Sequence, residues 1–401
     1  MHGQKLPVEP PKCILAIMKL ASTRTILGAT AAMVVWLAGA VWAGQAPAQA
    51  TPQAATPRPP MSEEVFKNIR VLRGIPVDEF MGTMGIFSAA LGMSCEDCHL
   101  ASDATWENYA IDTSPRKVTA RRMVQMMASI NQASFGGRQV VTCYTCHRGS
   151  SKPRVTPSLA ALYGSFPLDD PDEVVQAPGA PPASQILDKY VQALGGAQRL
   201  AGVTGFIAKG TSVGYGPEGT DRPIEIYVKA PNQRTTIIHT LDGDSTTAYD
   251  GRAGWMAAPH KPVPVLPLTG GELDSVKLDA ELSFPARIKD TLRDWRVGLP
   301  SEIDDKPVQV VQGTAGSAFA TFYFDSASGL LVRMVRYANS KVGRLPTQVD
   351  YTDYRDVSGV KFPFKFKVTW LDGLENVTLT DVQINVPVDA AKFGKPAAPP
   401  Q

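Results

Sequence analysis

The sequence has few of the residues that mark several large classes of protein. Only 5 of its 401 residues are cysteine, which excludes a disulfide-stapled scaffold of this length. Lysine and arginine number 40 against 38 aspartates and glutamates, so the formal charge is only +2. A chain without a strong basic excess has no electrostatic basis for binding phosphates along a nucleic acid. We therefore predict no nucleic-acid partner.

The sequence also lacks the common motifs of hydrolases and nucleotide-binding enzymes. No P-loop, nucleophile elbow or paired-carboxylate motif occurs in it. Hydrophobic residues nevertheless make up 44% of the chain, which is enough for a buried core and excludes wholesale disorder. A length of 401 residues predicts two or three domains rather than one.

Changes of composition divide the chain into segments. Residues 26–43 carry no charge and follow Lys19 and Arg24, a pattern typical of an export signal. We expect this segment to be cleaved or kept as a membrane anchor, with translation starting at Met1 or Met18, and the mature protein to be periplasmic. Stretches rich in proline and alanine predict linkers between the folded parts. The predicted segments are an export signal or anchor at 1–44, a linker at 45–61, a first domain at 62–155, a linker at 156–183, a second domain at 184–396 and a tail at 397–401.

The first domain is predicted to be helical. Asp78 is placed to cap a helix whose apolar residues recur at three and four, and Gly92 is placed to end it. Ser114 followed by Pro115 predicts the start of a second helix. That helix is expected to bury a stripe formed by Met123, Met126, Met127 and Ile130.

The second domain is predicted to open with a helix over residues 184–194 and to continue as strands. Nine segments alternate apolar and polar residues between Gly, Asp or Pro turns, which indicates an antiparallel meander. These segments lie at 203–216, 222–231, 234–241, 306–314, 318–325, 330–337, 348–356, 362–373 and 375–385.

Four of the five cysteines occur in two identical CxxCH motifs, Cys95 to His99 and Cys143 to His147. Two such motifs in an exported chain are a strong signal for c-type haem, because the two thiols form thioethers with the haem and the adjoining histidine then meets the iron. The alternatives are a pair of disulfides, a redox dithiol or one zinc site. Zinc ribbons usually have a shorter gap between their two cysteine pairs, and neither disulfides nor redox dithiols require a histidine after the second cysteine in both motifs. We therefore predict two haems c, with His99 and His147 as proximal iron ligands.

A methionine-bearing helix precedes each motif. Met81 and Met84 lie before the first CxxCH, and Met123 and Met126 lie before the second. A methionine at helical spacing is usually core filler, but core packing does not need this duplication. One thioether from each helix could be the second axial ligand of the iron and would raise its potential relative to two nitrogen ligands.

These motifs resemble the cytochrome c subunit of photosynthetic reaction centres. The resemblance rests on NIRVLRGIPVDEFMGTMGIFSAALGMSCEDCH, VTARRMVQMMASIN and VVTCYTCHRG. In that family each unit is a helix with the axial methionine, a turn and CxxCH. The resemblance implies Met84 for the haem on Cys95 and Cys98. For the haem on Cys143 and Cys146 it implies Met123, with Met126 in reserve.

The chain departs from that family in haem number. Its usual member has four haems in two related halves, and one haem takes a histidine from the other half. Only one half is present here, and no histidine lies between Met123 and Cys143. We therefore expect a self-contained two-haem unit.

The second domain resembles the half-barrel fold of outer-membrane lipoprotein carriers. The similarity lies in the opening helix SQILDKYVQALGGAQRL and in long strands punctuated by "GT", "KAP" and "YDG". This similarity predicts the fold of the domain, but it includes no diagnostic site motif and so does not predict an activity. His239 and His260 lie in this domain without a second ligand at metal spacing, so we do not assign them to a metal.

The expected fold is thus multidomain, with a small all-α dihaem domain followed by an antiparallel half-barrel α+β domain. The expected function is electron transfer with His/Met-ligated haems, and no catalytic residue is assigned. The alternatives are a peroxidase or reductase with one open haem, and a sensor that binds a lipid or quinone. Expected partners are redox proteins, membrane-bound or similar to a reaction centre, and an apolar ligand or docked protein on the β-domain.

Overall fold

A computed structural model describes residues 58–99, 108–153, 155–156, 173–214, 220–315 and 318–399. The predicted export segment and most of both predicted linkers lie outside these ranges. From Pro57 onward the chain forms one compact unit. No helix in the described ranges has both the length and the hydropathy of a membrane span.

The helices of the described residues fall into two groups. Four lie in the cysteine-bearing region and four in the region after it, with short 3-10 turns at Cys95–Asp97, Asn108–Ala110, Pro285–Arg287 and Ala390–Phe393. The helices are α1 (Ser62–Val65), α2 (Val77–Leu91), α3 (Pro115–Phe135), α4 (Cys143–His147), α5 (Ala183–Ala193), α6 (Ala197–Ala201), α7 (Gly270–Leu282) and α8 (Ile288–Thr291).

The strands all belong to the region after the cysteines. They are β1 (Gly205–Gly214), β2 (Arg222–Lys229), β3 (Gln233–Thr240), β4 (Gly243–Tyr249), β5 (Gly254–Ala257), β6 (Val265–Pro267), β7 (Arg293–Val297), β8 (Ser301–Ile303), β9 (Lys306–Ala315), β10 (Ala318–Asp325), β11 (Leu331–Ser340), β12 (Gly343–Val357), β13 (Val360–Trp370) and β14 (Gly373–Ile384).

These strands form one antiparallel sheet in the order β6-β5-β4-β3-β2-β1-β14-β13-β12-β11-β10-β9-β7, with β8 paired to β9. The last strand pairs with the first, so that Phe206 lies opposite Ile384. That pairing places both ends of the meander in the middle of the sheet. Strands β11 to β14 are consecutive antiparallel neighbours. The turns joining β11 to β12 and β13 to β14 therefore lie at the same end of the sheet.

The main core lies between the sheet and α5. Ile186, Leu187 and Tyr190 of that helix pack in one apolar cluster with Phe322 and Phe324 of β10. The Tyr190 and Phe324 rings lie 5.1 Å apart between centroids. The described part of the second predicted linker adds to the domain, because Val174 is buried and its N–H donates to the Gln312 side chain at 3.0 Å.

The cysteine-bearing region has a smaller core that includes a residue of the β-domain. Leu72, Ile75, Ile86, Val124 and Met127 pack around Val342, which is fully buried in the turn between β11 and β12. The core of the cysteine-bearing region thus includes an apolar side chain from a turn of the β-domain.

The predicted fold class is confirmed: a helical cysteine-bearing region precedes an antiparallel β-domain that opens with a helix. Gly92 ends α2 in the left-handed conformation, and Ser114 and Pro115 begin α3 as predicted. The cap predicted at Asp78 is wrong, since Pro76 is the N-cap and Asp78 lies inside the helix. The predicted α3 stripe is wrong in part, because Met126 is 46% exposed and Ile130 36%, whereas Val124 and Asn131 are buried with Met127.

Candidate functional site

The first CxxCH motif follows α2 after a short turn. Gly92 has φ +61°, which reverses the chain and lets Cys95–Asp97 form a 3-10 turn. Ser94 begins this turn, and its N–H donates to the Asp97 carboxylate at 2.9 Å. Arg116 of α3 pairs with the same carboxylate at 2.8 Å. The motif is thus held both by its own capping bonds and by the second long helix.

A cavity of about 530 Å³ lies beside this motif. Cys95, Cys98 and His99 line it together with three methionines, Met81, Met84 and Met93. Phe66, Phe80, Phe87, Leu91 and Val124 add apolar walls. The structure therefore gathers two thiols, one imidazole and several thioethers around one apolar space.

His99 is half-buried in this cavity, and its Nδ1 has no hydrogen-bond partner among the described residues. The imidazole stacks on the Tyr109 ring, with 4.4 Å between centroids. Burial lowers the pKa of His99, and the positive charge of Lys117 lowers it further. A neutral imidazole is the form that binds a metal. A half-buried imidazole beside an apolar space fits a haem iron and its porphyrin.

The second CxxCH motif forms α4, which begins after Thr142. The Thr142 hydroxyl accepts a bond from the Thr145 N–H, as an N-cap does. The His147 Nδ1 lies 3.0 Å from the Ser150 carbonyl oxygen. A hydrogen bond at Nδ1 orients the ring and keeps Nε2 for a metal.

A buried asparagine positions this second motif. Asn131 of α3 is 6% exposed, and its Nδ2 donates to the Val141 carbonyl at 2.7 Å. Its Oδ1 accepts from the N–H groups of Val140 and Val141 at 3.1 and 2.9 Å. The residues just before Cys143 are therefore fixed against the helix that carries Met123.

Large apolar side chains are exposed around the second motif. They are Met126, Ile130, Val140 and Tyr144, each at least 36% exposed. Exposed apolar side chains concentrated in one region mark a binding surface. Met123 itself is half-buried, and the reserve ligand Met126 belongs to this exposed group.

The two motifs meet at the end of α2. The Gly149 N–H, two residues after His147, donates to the Ala90 carbonyl at 2.9 Å. A Cβ at Gly92 would lie 2.4 Å from the Gly149 carbonyl oxygen, so only glycine allows this approach. Two haems held by these motifs would therefore be neighbours.

Sequence reasoning missed the contribution of the β-domain to the first cavity. Lys261, Trp370 and Asp372 line it, the last two at the turn between β13 and β14. The sequence signals only a turn there, through Asp372 and Gly373. His239 pairs with Asp244 at 2.7 Å and His260 with Asp242 at 3.7 Å, and neither lines the cavity.

The other interpretations of the cysteines receive no support from the geometry. All four motif cysteines carry free thiols. Burial raises the pKa of Cys98 and of Cys143, which keeps both protonated at neutral pH. Within the ranges that the structure describes, no three His, Cys, Asp or Glu residues converge as a metal site would require.

The β-domain has a second cavity of about 210 Å³. Its walls are mostly apolar, but Arg234, Arg336 and Asp279 also line it. Arg336 pairs with Asp279 at 3.0 Å, while its Nε and Nη1 are buried without a partner among the described residues. Burial lowers the pKa of Arg234. This cavity combines an apolar interior with unpaired cationic donors.

Comparison with known proteins finds relatives of the cysteine-bearing region. The family model of the photosynthetic reaction centre cytochrome C subunit matches residues 31–158. The subunit of Rubrivivax gelatinosus is 36% identical over 99 residues, covering 24% of this chain and 25% of the relative. The subunit of Thermochromatium tepidum is 33% identical over 99 residues, covering 24% and 23%. The chain thus spans about a quarter of the length of these relatives.

Solved structures align with the other half of the chain. A DUF1329 family protein from Desulfovibrio piger covers 54% of this chain and 98% of its own at 10% identity, with a TM-score of 0.38. A LolA superfamily protein from Nitrosomonas europaea covers 54% and 99% at 16% identity, with a TM-score of 0.36. The family match and the solved structures thus concern different parts of the chain. Residues 31–158 are the part that resembles the cytochrome c subunit of photosynthetic reaction centres, as the sequence motifs predicted.

Proposed function

We propose that this chain is an electron-transfer protein that carries two covalently attached haems c in the periplasm. The observation that carries the proposal is the first cavity, where Cys95, Cys98 and His99 share one apolar space with Met81, Met84 and Met93. A haem bound there would exchange one electron between ferrous and ferric iron. The match of residues 31–158 to the reaction-centre cytochrome model supports the same chemistry.

Each haem site has two thiols, one imidazole and one thioether with separate roles. The thiols of Cys95 and Cys98 hold the first haem, His99 offers its imidazole, and Met84 offers a thioether from α2. Cys143, Cys146 and His147 do the same for the second haem, with Met123 from α3. Apolar side chains line the first site, and a drier site favours the less charged ferrous state.

Mass spectrometry of the full chain, matured in a host that exports cytochromes c, tests the number of haems. We expect two haem additions in the wild type. A Cys95→Ser, Cys98→Ser variant and a Cys143→Ser, Cys146→Ser variant should each keep one, so that each motif controls for the other. A wild-type mass with one addition or none would contradict the proposal.

Carbon monoxide separates an electron carrier from a haem enzyme. When both irons keep two axial ligands from the protein, the reduced protein should bind little carbon monoxide. Ready binding by one haem would indicate an open coordination position, and would favour the peroxidase or reductase alternative.

Location can be tested by fractionation. The uncharged stretch at 26–43 supports export, and both CxxCH motifs lie after it. Haem-stained protein should be recovered from the periplasm, or from the membrane fraction if that stretch is an uncleaved anchor. Recovery in the cytoplasm alone would contradict this part of the proposal.

The β-domain has a second candidate function, the binding of an apolar molecule with an anionic group. The cavity of about 210 Å³ favours it, and so do the Nε and Nη1 donors of Arg336, which are buried without an acceptor among the described residues, because a buried N–H without an acceptor is costly. Native mass spectrometry of the exported protein should show a co-purified molecule that Arg336→Leu loses. An empty wild-type protein that also fails to bind a long-chain fatty acid would reject this function.

A further inference from the structure

The helix that carries Met84 is held by the β-domain near its start. The Asp78 carboxylate of α2 accepts from the Thr269 hydroxyl at 2.9 Å and from the Thr269 N–H, at the N-cap of α7. The Glu79 carboxylate accepts from the Lys341 N–H at 3.1 Å, in the turn between β11 and β12. Asp78 is only 6% exposed. The Asp78 bonds are sheltered from water, and both carboxylates fix the start of the helix.

The middle of α2 approaches the sheet through two glycines. A Cβ at Gly82 would lie 2.6 Å from Cδ2 of Leu345, and one at Gly85 would lie 3.5 Å from Cβ of Leu371. Three residues apart, Gly82 and Gly85 lie on one face of the helix. That face packs on the two hairpin turns, while Met81 and Met84 line the cavity beside His99.

The end of β13 and the turn that follows it form part of the cavity wall. Trp370 and Asp372, from the turn between β13 and β14, line the cavity with Met84 and His99. Trp370 lines the cavity and is also 36% exposed, so it meets both the cavity and solvent. Removing the ring would open this side of the cavity to water.

We propose that the β-domain is a working part of the first haem site: its two hairpin turns position the methionine helix, and Trp370 shields the cavity from solvent. This inference rests on the proposed haem function. It assigns Trp370 as a positioning and shielding residue that binds no iron. The potential of the first haem then depends on the β-domain.

The test compares three variants of the full, haem-loaded chain by spectroscopic redox titration. Trp370→Ala admits water, which stabilises the more charged ferric state, so the midpoint potential of one centre should fall. Trp370→Phe keeps an aromatic wall and should restore most of the wild-type potential. Leu374→Ala is the matched control, since Leu374 lies in the same hairpin, is 45% exposed and does not line the cavity. It should leave both potentials unchanged.

The centre that Trp370→Ala shifts should be the one that Met84→His also shifts. Equal shifts of both centres, no shift, or a shift only of the other centre would overturn the inference. Trp370 is partly exposed, and circular dichroism of each variant confirms that the fold is kept. Mass spectrometry of the wild type is read first, because missing haems would reject the proposed function rather than the role of the β-domain.

Discussion

At the scale of single residues, Met84 separates haem attachment from haem tuning. Attachment depends on the thiols of Cys95 and Cys98, whereas the potential depends on the axial ligand. We expect Met84→His to keep two haems and to lower one midpoint potential by about 0.1 V or more, within the range that axial ligands cover. Redox titration with absorption spectra measures both properties.

The neighbouring methionines supply the comparison for that prediction. Met81 and Met93 line the same cavity, so Met81→Leu and Met93→Leu show whether a change of packing alone moves the potential. An unchanged titration of Met84→His would assign Met84 to the core. The axial ligand would then have to be Met81 or Met93.

The hydrogen bonds of Asn131 lead to a prediction about the stability of the second site. Its side chain forms three hydrogen bonds to the backbone of Val140 and Val141 while 6% exposed. Asn131→Ala removes the partners of the part-buried Val141 N–H and carbonyl groups, which should cost about 1–2 kcal/mol of unfolding free energy. Urea denaturation measures this cost. Its exposed neighbour supplies the control, since Gln132→Ala should change stability by less than about 0.5 kcal/mol, and equal effects would contradict the prediction.

Single residues also show where sequence reasoning stops. Asp78 has the sequence position of an N-cap, but its carboxylate bonds to Thr269, which lies 191 residues further along the chain. Met126 fits the helical spacing of a buried stripe and is exposed. Both outcomes depend on which face of a helix meets the rest of the molecule. Local spacing carries no information about that.

At the scale of elements, prediction succeeded where a segment decides its own structure. The helix ended by Gly92 and the helix begun by Ser114 and Pro115 are both found, because cap residues and apolar periodicity act locally. The nine predicted strand segments each overlap a strand of the sheet.

The elements that were missed are short, polar or begin with glycine. Strand β4 has the mostly polar sequence GDSTTAY and is stabilised by pairing with β3 and β5. Helix α7 opens with Gly270 and Gly271, which have poor helix propensity, and its N-cap is fixed by Asp78 of another helix. Tertiary contacts decide these elements, so the sequence of each one alone could not reveal them.

The two glycine caps of the long helices test how the motifs are joined. Gly92 and Gly136 both have φ near +60°, so an alanine is strained at either position. Only at Gly92 does a Cβ meet the backbone of the second motif, whereas a Cβ at Gly136 has no atom within 4 Å. We expect Gly136→Ala to cost about 1 kcal/mol and Gly92→Ala clearly more.

Chemical denaturation measures both costs, and the spectrum of the second haem gives an independent readout. Gly92→Ala should perturb that spectrum, because the Cβ displaces Gly149 just after His147. Gly136→Ala should leave that spectrum unchanged, because its Cβ meets no atom within 4 Å. Equal costs for the two variants would show that the contact between the motifs is not tight in solution.

At the scale of the whole molecule, the proline-rich composition of residues 156–183 predicts a tether between the cysteine-bearing region and the β-domain. The contacts between these two regions predict that cleavage of the tether does not separate them. Val342 is fully buried in the core of the cysteine-bearing region. Asp78 and Glu79 bond to Thr269 and to the Lys341 backbone. These contacts do not run through the linker.

A protease site inserted between residues 157 and 172 tests this arrangement on the haem-loaded chain. After complete cleavage, the coloured fragment and the β-fragment should still elute together in size-exclusion chromatography, with the spectrum unchanged. Val342→Asp places a carboxylate in an apolar core, which is costly because no described partner could pair with it there. The cleaved variant should therefore release the coloured fragment as a separate peak, whereas uncut Val342→Asp stays at the size of the full chain. If the cleaved wild type also separates, and each part keeps its spectrum or its β-structure, then the two regions are independent domains. In that case the contacts with α2 would contribute little to holding the molecule together.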